Sequence, residues 1–261
     1  MEKKSNAIEK STILVVDDHV EILEFIVDDL SEHYDVLQAE NGKQALDILN
    51  AQQVQLIVSD IMMPEMDGYE LCQRIKSDVA YSHIPIILLT AKNTLKSKIA
   101  GLEHGADAYI EKPFSPEHLQ AQISSLLTNR NKIRAYFARS PLAHIQSMAH
   151  SKADELFLEE LNTLIQTHMA DAGFDVEHLA EKMHISRPTL YRKIKAISDL
   201  TPNDLINIAR LKKAAELLVE GQHKIYEVSY RVGYSSQTHF GRNFQKQFGM
   251  SPSEYIAKHK A

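Results

Sequence analysis

Four short apolar runs in this chain each lead into a side chain able to do chemistry. Ser11–Val16 ends on Asp17-Asp18, Val54–Ser59 on Asp60, Ile84–Leu89 on Thr90, and Asp107–Ile110 runs into Glu111-Lys112-Pro113-Phe114. Three carboxylates brought together repel one another, and leaving them unpaired in a cleft would be costly. A divalent cation offsets that repulsion. A carboxylate site with few other ligands suits Mg²⁺, which keeps its waters and favours phosphate oxygens. Asp60 could then attack a phosphoryl group as a carboxylate nucleophile. Lys112 would neutralise charge on the transferring oxygens, and Thr90 would hydrogen-bond one of them. Alone, Asp60 reads as a turn cap, since Pro64 and Asp67-Gly68 follow it as turn signals. The four run ends together point to phosphoryl chemistry.

Those residues meet only if the runs are strands of one sheet. The runs are short, β-branched and almost wholly apolar, as strands buried on both faces are. Helical spacing separates them. Ile22, Leu23, Ile26, Val27 and Leu30 follow the first run, a strand is predicted at Tyr34–Gln38, and a helix at Gly42–Asn50. A further helix is expected across roughly Thr94 to His104, and Ser115-Pro116 opens another with a side-chain cap and a first-turn proline. Five strands alternating with five helices predict a doubly wound α/β domain with a parallel sheet. In such sheets ligands bind beyond the carboxyl ends of the strands, where these acids fall.

The 261 residues suggest two domains. With 44% hydrophobic and 25% charged residues the composition is that of a globular protein. No apolar run approaches the ~20 residues of a membrane span, so no membrane contact is expected. The single cysteine, Cys72, excludes an internal disulfide and a cysteine zinc motif, which fits a reducing, cytoplasmic setting. Net charge is −6, but unevenly spread: residues 1–130 hold 11 Lys+Arg against 21 Asp+Glu, whereas from Lys182 onward the count is 14 against 6. An acidic module joined to one that meets a polyanion would have this asymmetry.

Thr128 to Met148 lacks strand character and reads as a partly helical connector. An amphipathic helix follows from about Lys152 to Ala170. Beyond Phe174 the pattern is all-helical and repeats itself. Leu200-Thr201-Pro202-Asn203-Asp204 parallels Met250-Ser251-Pro252-Ser253-Glu254 at an offset of 50, while upstream the offset is 49, as for Leu179 and Val228. The second copy therefore has one extra residue in its turn. Each copy predicts a short helix, a tight turn and a longer helix: Val176–His184 then Ser186–Ile197, and Ile225–Val232 then Gln237–Gln247. With Leu190, Ile194 and Ile197 facing a core, the outer face of the first long helix offers Arg187, Tyr191, Arg192 and Lys195. The second offers Gln237, Thr238, Arg242 and Lys246. Arginine pairs bidentately with guanine and glutamine with adenine in the major groove of double-stranded DNA. Two such helices would enter successive major-groove segments about 34 Å apart.

Val-Val-Asp-Asp, Ser-Asp-Ile-Met-Met-Pro-Glu-Met-Asp-Gly, Leu-Leu-Thr-Ala and Tyr-Ile-Glu-Lys-Pro-Phe resemble the receiver domain of two-component response regulators. The resemblance implies a flavodoxin-like fold in which Asp60 accepts phosphate from a sensor histidine kinase. It further implies that Asp17, Asp18, Asp60 and the backbone carbonyl of Met62 arrange Mg²⁺. Thr90 and Tyr109 match the family's switch pair, Thr90 moving toward the phosphoryl group as the Tyr109 ring turns inward. A changed surface at roughly Thr94–Leu127 would then let receivers pair as a homodimer or release the DNA-binding half. His19 reads as a solvated residue at a helix start. The run Tyr-Arg-Val-Gly-Tyr-Ser-Ser-Gln-Thr-His-Phe-Gly-Arg-Asn-Phe is similar to the AraC-type DNA-binding domain, two helix-turn-helix units joined by a helix, here Pro202 to Glu220. Pro188 departs from that pattern, where many members carry a longer side chain. The expected layout is a receiver at 10–128, a linker at 129–151 and the DNA-binding domain at 152–261. That combination also resembles the tail of hybrid sensor kinases. The expected function is non-enzymatic regulation of transcription. A phosphatase working through an aspartyl-phosphate would need a second carboxylate two residues after Asp60, where Met62 stands. Further alternatives are a DNA binder with a silent receiver and a second half that is an all-helical dimerisation or protein-binding bundle.

Overall fold

The computed structural model describes residues 10–91, 105–139 and 151–259. The helix expected over Thr94–His104 and much of the expected linker lie outside these residues. The chain divides into two compact units, with the division between Lys132 and Ile133.

In the first unit, β1 (Thr12–Val16), β2 (Asp35–Ala39), β3 (Leu56–Asp60), β4 (Ile86–Thr90) and β5 (Ala108–Glu111) form one five-stranded sheet in the order β2-β1-β3-β4-β5. Every pairing is parallel. Between them run α1 (Val20–Ser31), α2 (Gly42–Ala51) and α3 (Gly68–Ser77), and α4 (Pro116–Arg139) follows β5. Successive residues of a strand point to opposite faces, which splits the core into two layers. Ile13 and Val15 of β1 join Leu23 and Ile26 of α1 and Leu119 and Ile123 of α4. Leu14 and Val16 join Ala45 and Leu49 of α2 and Leu71, Cys72 and Ile75 of α3. This is the doubly wound, flavodoxin-like order. Its strand sequence reverses between β1 and β3, so the crevice at their carboxyl ends is where such sheets bind ligands.

Strand ends differ slightly from the sequence expectation. Asp60 and Thr90 are the last residues of β3 and β4, held in the ladder opposite Leu89 and Glu111. The expected boundary at 128 falls inside a helix, because α4 continues unbroken to Arg139. Residues 128–139 contain no proline or glycine to stop it.

The second unit is helical among the described residues: α5 (Lys152–His168), α6 (Val176–Lys182), α7 (Arg187–Ser198), α8 (Pro202–Glu220), α9 (Ile225–Arg231), α10 (Gln237–Phe248) and α11 (Pro252–His259). The internal repeat extends to the backbone. Ser186 and Ser236 each cap a long helix by accepting the N–H three residues on. His184 and Gly233, related by 49, are both left-handed (φ 54° and 82°), as are Asp199 and Gly249, related by 50 (φ 63° and 72°). One extra residue lies between α9 and α10.

Candidate functional site

The ammonium of Lys112, one residue beyond β5, bridges two carboxylates. Its Nζ lies 2.7 Å from Asp17 Oδ2 and 2.6 Å from Asp60 Oδ1. The sheet sets this up. Lys112 N–H donates to the Thr90 carbonyl at 2.8 Å, which continues the β4–β5 ladder, and Asp17 N–H donates to Ala39 O at 3.1 Å beyond β1. Asp17 is fully buried, Asp60 and Thr90 are buried, and Asp18 is half-buried. Burial by itself pushes the Lys112 pKa down. The hydrogen bonds to Asp17 and Asp60, together with their charges, outweigh it and hold the ammonium above the usual lysine range. The second oxygen of Asp60 accepts from Met62 N–H at 2.7 Å, and the Met62 side chain is 75% exposed. His19 is exposed, and its Nδ1 lies 3.0 Å from Asp18 Oδ1 and 3.5 Å from Asp17 Oδ1. Asp17, Asp18 and His19 present ligand atoms within 4.8 Å of one another, a group able to hold a metal ion.

The turn beneath the acids is tight. A β-carbon at Gly68 would lie 2.2 Å from the Asp60 carbonyl oxygen, so only glycine lets α3 begin so close to β3. Asp67 caps that helix by accepting Glu70 N–H at 2.8 Å. Tyr109 packs half-buried against the α2–α3 layer. Its hydroxyl is covered and has no hydrogen-bond partner among the described residues. Burial pushes the phenol well above its ordinary pKa, with Cys72, Tyr69 and Asp107 adding to the effect.

In the second unit, Arg187, Lys195, Gln237, Thr238, Arg242 and Lys246 are exposed on the long helices of the two repeats. Tyr191 and Arg192, which helical spacing assigns to the same outer face, are instead half-buried. The Arg187 guanidinium lies 5.7 Å from the centre of the Tyr191 ring, covering it. Arg192 Nε is wholly covered.

Residues 13–124 match the model of the response regulator receiver domain, and residues 179–258 match a helix-turn-helix domain model. The chain joins a response regulator receiver domain to an AraC-type helix-turn-helix domain. A histidine kinase of Formosa agariphila is 42% identical over 95% of this chain, which spans 18% of that protein. A probable transcriptional regulator of Porphyridium aerugineum is 44% identical over 48% of this chain and 51% of its own length. The chain thus spans about half or less of these relatives. The signal receiver domain of a histidine kinase from Syntrophus aciditrophicus covers 46% of this chain at 36% identity, with a TM-score of 0.44.

Three features of the helix-turn-helix unit escaped the sequence reading. Lys193 of α7 is fully buried and pairs with Asp154 of α5, itself fully buried. Helical spacing carries the signal, since Lys193 follows Leu190 by three and precedes Ile197 by four, on the core face. Arg210 of α8 donates to three carbonyls, Nε to Met169 at 2.9 Å and Nη2 to Asp171 and Phe174 at 2.7 and 3.1 Å. Gly233 packs on the same spot, where a β-carbon would lie 2.3 Å from Met169 O and 2.9 Å from Arg210 Nε. No spacing in the sequence foretells these last two, because their partners are backbone atoms of distant segments. No helix among the described residues is long and apolar enough to cross a membrane.

Proposed function

We propose that this chain is a phosphorylation-controlled, DNA-binding transcriptional regulator of a two-component system. Asp60 accepts a phosphoryl group from a sensor histidine kinase. The observation that carries this reading is the Lys112 ammonium held between Asp17 and Asp60 at the carboxyl ends of β1, β3 and β5. One lysine against Asp17, Asp18 and Asp60 leaves the cluster with excess negative charge, and hard carboxylate oxygens are the donors Mg²⁺ prefers. Asp17, Asp18, Asp60 and the Met62 carbonyl would hold that ion, which when bound neutralises charge on the phosphoryl oxygens. An oxygen of Asp60 attacks phosphorus, the N–P bond of the kinase phosphohistidine breaks, and its electron pair stays on the imidazole. Lys112 shifts from the Asp60 carboxylate to a phosphoryl oxygen, and the Thr90 hydroxyl donates to another. The added charge of about −1.5 to −2 draws Thr90 and then Tyr109 inward. Receivers pair as homodimers, and the helix-turn-helix unit grips duplex DNA through the exposed Arg187 and Lys195 of α7 and Gln237, Thr238, Arg242 and Lys246 of α10, while the half-buried Tyr191 and Arg192 contribute only the parts they leave exposed.

The test is phosphate-affinity gel migration after acetyl phosphate treatment, together with binding to a duplex selected from a random library. The wild-type chain should shift only with Mg²⁺ present and bind DNA more tightly once labelled. Asp60→Asn should remain unlabelled and keep basal DNA binding. Tight, donor-responsive DNA binding by Asp60→Asn would defeat the proposal. A second reading, that the same two domains act as the output end of a longer sensor kinase, is favoured by the 42% identity to the Formosa histidine kinase over 95% of this chain. Autophosphorylation with ATP by the full-length natural protein would establish it, and a natural protein lacking kinase activity would remove it.

A further inference from the structure

The helix-turn-helix match begins at residue 179, yet α5 lies wholly before it and is tied to the matched region at both ends. Near its start, Asp154 forms an ion pair with Lys193 of α7. Both side chains are 0% exposed, and the ammonium sits 5.8 Å from the centre of the Phe157 ring, one turn further along α5. After its end, the carbonyls of Met169 and Asp171 are held by Arg210 of α8.

Taking two charges out of water is costly, and apolar side chains of similar volume hold helices together at least as well. What a buried pair can add is registry, because its ammonium must meet one carboxylate at one place while apolar surfaces can slide. The second long helix is built differently. At the position equivalent to Lys193 it carries Asn243, half-buried and within 3.5 Å of the Tyr234 hydroxyl and 3.4 Å of His239 Nε2. Those contacts are local to its own repeat. Among the described residues, α7 takes its buried polar anchor from a helix outside the repeats, whereas α10 finds these partners within its own repeat.

We infer that Asp154 and Lys193 are positioning residues for DNA recognition, and that α5 sets the rotation and register of α7 in the major groove. This rests on the reading of α7 and α10 as DNA-contacting helices. Loss of the pair selectively weakens the half-site read by α7 and spares the half-site read by α10.

The test uses the full chain and a duplex selected by the wild-type protein from a random library, mapped by hydroxyl-radical footprinting. Arg187→Ala identifies which half-site belongs to α7. The double variant Asp154→Leu/Lys193→Met keeps the buried volume without the charges and should fold. It should lose protection of the α7 half-site by about ten-fold, the scale of one well-made base contact, with the α10 half-site unchanged. Wild-type strength at both half-sites overturns the inference, as does parallel weakening of both in a folded variant. Should the double variant fail to fold, Asp154→Asn keeps the shape and the hydrogen bond without the charge. Partial, α7-selective weakening then supports the inference, and a wild-type footprint overturns it. If the wild-type chain enriches no duplex, the DNA-binding reading itself fails and this inference falls with it.

Discussion

Replacing Gly68 with alanine tests whether the first turn of α3 places the acceptor carboxylate. The new β-carbon would stand 2.2 Å from the carbonyl oxygen of Asp60 and 2.9 Å from Ile61 Cα. Nonbonded carbon and oxygen atoms rest roughly 3.5 Å apart, so β3 or α3 must retreat by about 1 Å. Neither obstacle is a side chain that can rotate away, since both are backbone atoms at the end of a central strand. The retreat also stretches the bond from Gly68 N–H to Ile61 O, now 2.9 Å. Overpacking a buried position costs about 1–3 kcal/mol. A displacement of ~1 Å at a reacting group lowers its rate on the order of 100-fold. Gly68→Ala should therefore unfold at lower urea with an unchanged m-value, and its labelling by acetyl phosphate should slow on that same scale. Labelling at the wild-type rate in a destabilised variant would show that α3 yields and Asp60 does not, refuting the positioning argument. Wild-type stability would refute the close approach itself.

Other outcomes follow from the same geometry. Lys112→Met leaves Asp17 and Asp60 facing each other, and urea denaturation at neutral pH should show a loss of up to about 3 kcal/mol, the low end for breaking a buried pair because the ammonium keeps some contact with water. Since the Lys112 pKa is raised in the folded chain, its stabilisation is fully present below the ordinary lysine value of about 10.4 and is lost as pH rises through the folded value. Wild type should thus lose more stability at alkaline pH than Lys112→Met does, and identical alkaline limbs would contradict this. Burial, aided by Asp107 and opposed by Lys76, pushes the Cys72 thiol up to about 11, so at mildly alkaline pH a thiol reagent should modify it only after denaturation. His184→Gly should raise the melting temperature, since a left-handed non-glycine residue costs about 1–2 kcal/mol, whereas Gly233→Ala should lower it by more than that through its clash with Met169 O. Equal and opposite shifts would show that the clash adds nothing.

Much of this molecule was legible in its residue pattern because two periodicities carry it. Short apolar runs ending on Asp17, Asp60 and Thr90 gave the parallel sheet, and the offset of 49 changing to 50 gave the paired helical units with their extra turn residue. Boundaries were less legible. The 128 limit fell inside α4 because nothing in residues 128–139 breaks a helix, and local pattern does not mark where one compact unit ends. Spacing alone gives the outer face of α7 but not how much of each side chain its neighbours cover, and Tyr191 and Arg192 are half-buried there, Tyr191 beneath Arg187 of the same helix.

By itself the sequence determined which groups stand at the strand ends and which face of each long helix is apolar, because strand and helix periods fix side-chain direction over a few residues. Tertiary structure alone decided that Lys112 lies between Asp17 and Asp60, 95 residues from the first of them. It also decided that Lys193 is buried against Asp154 and that Arg210 holds the carbonyls before α6. Each of these is a contact between segments far apart in the chain. Such contacts depend on how whole elements pack, and charged groups can be buried only where that packing supplies a partner.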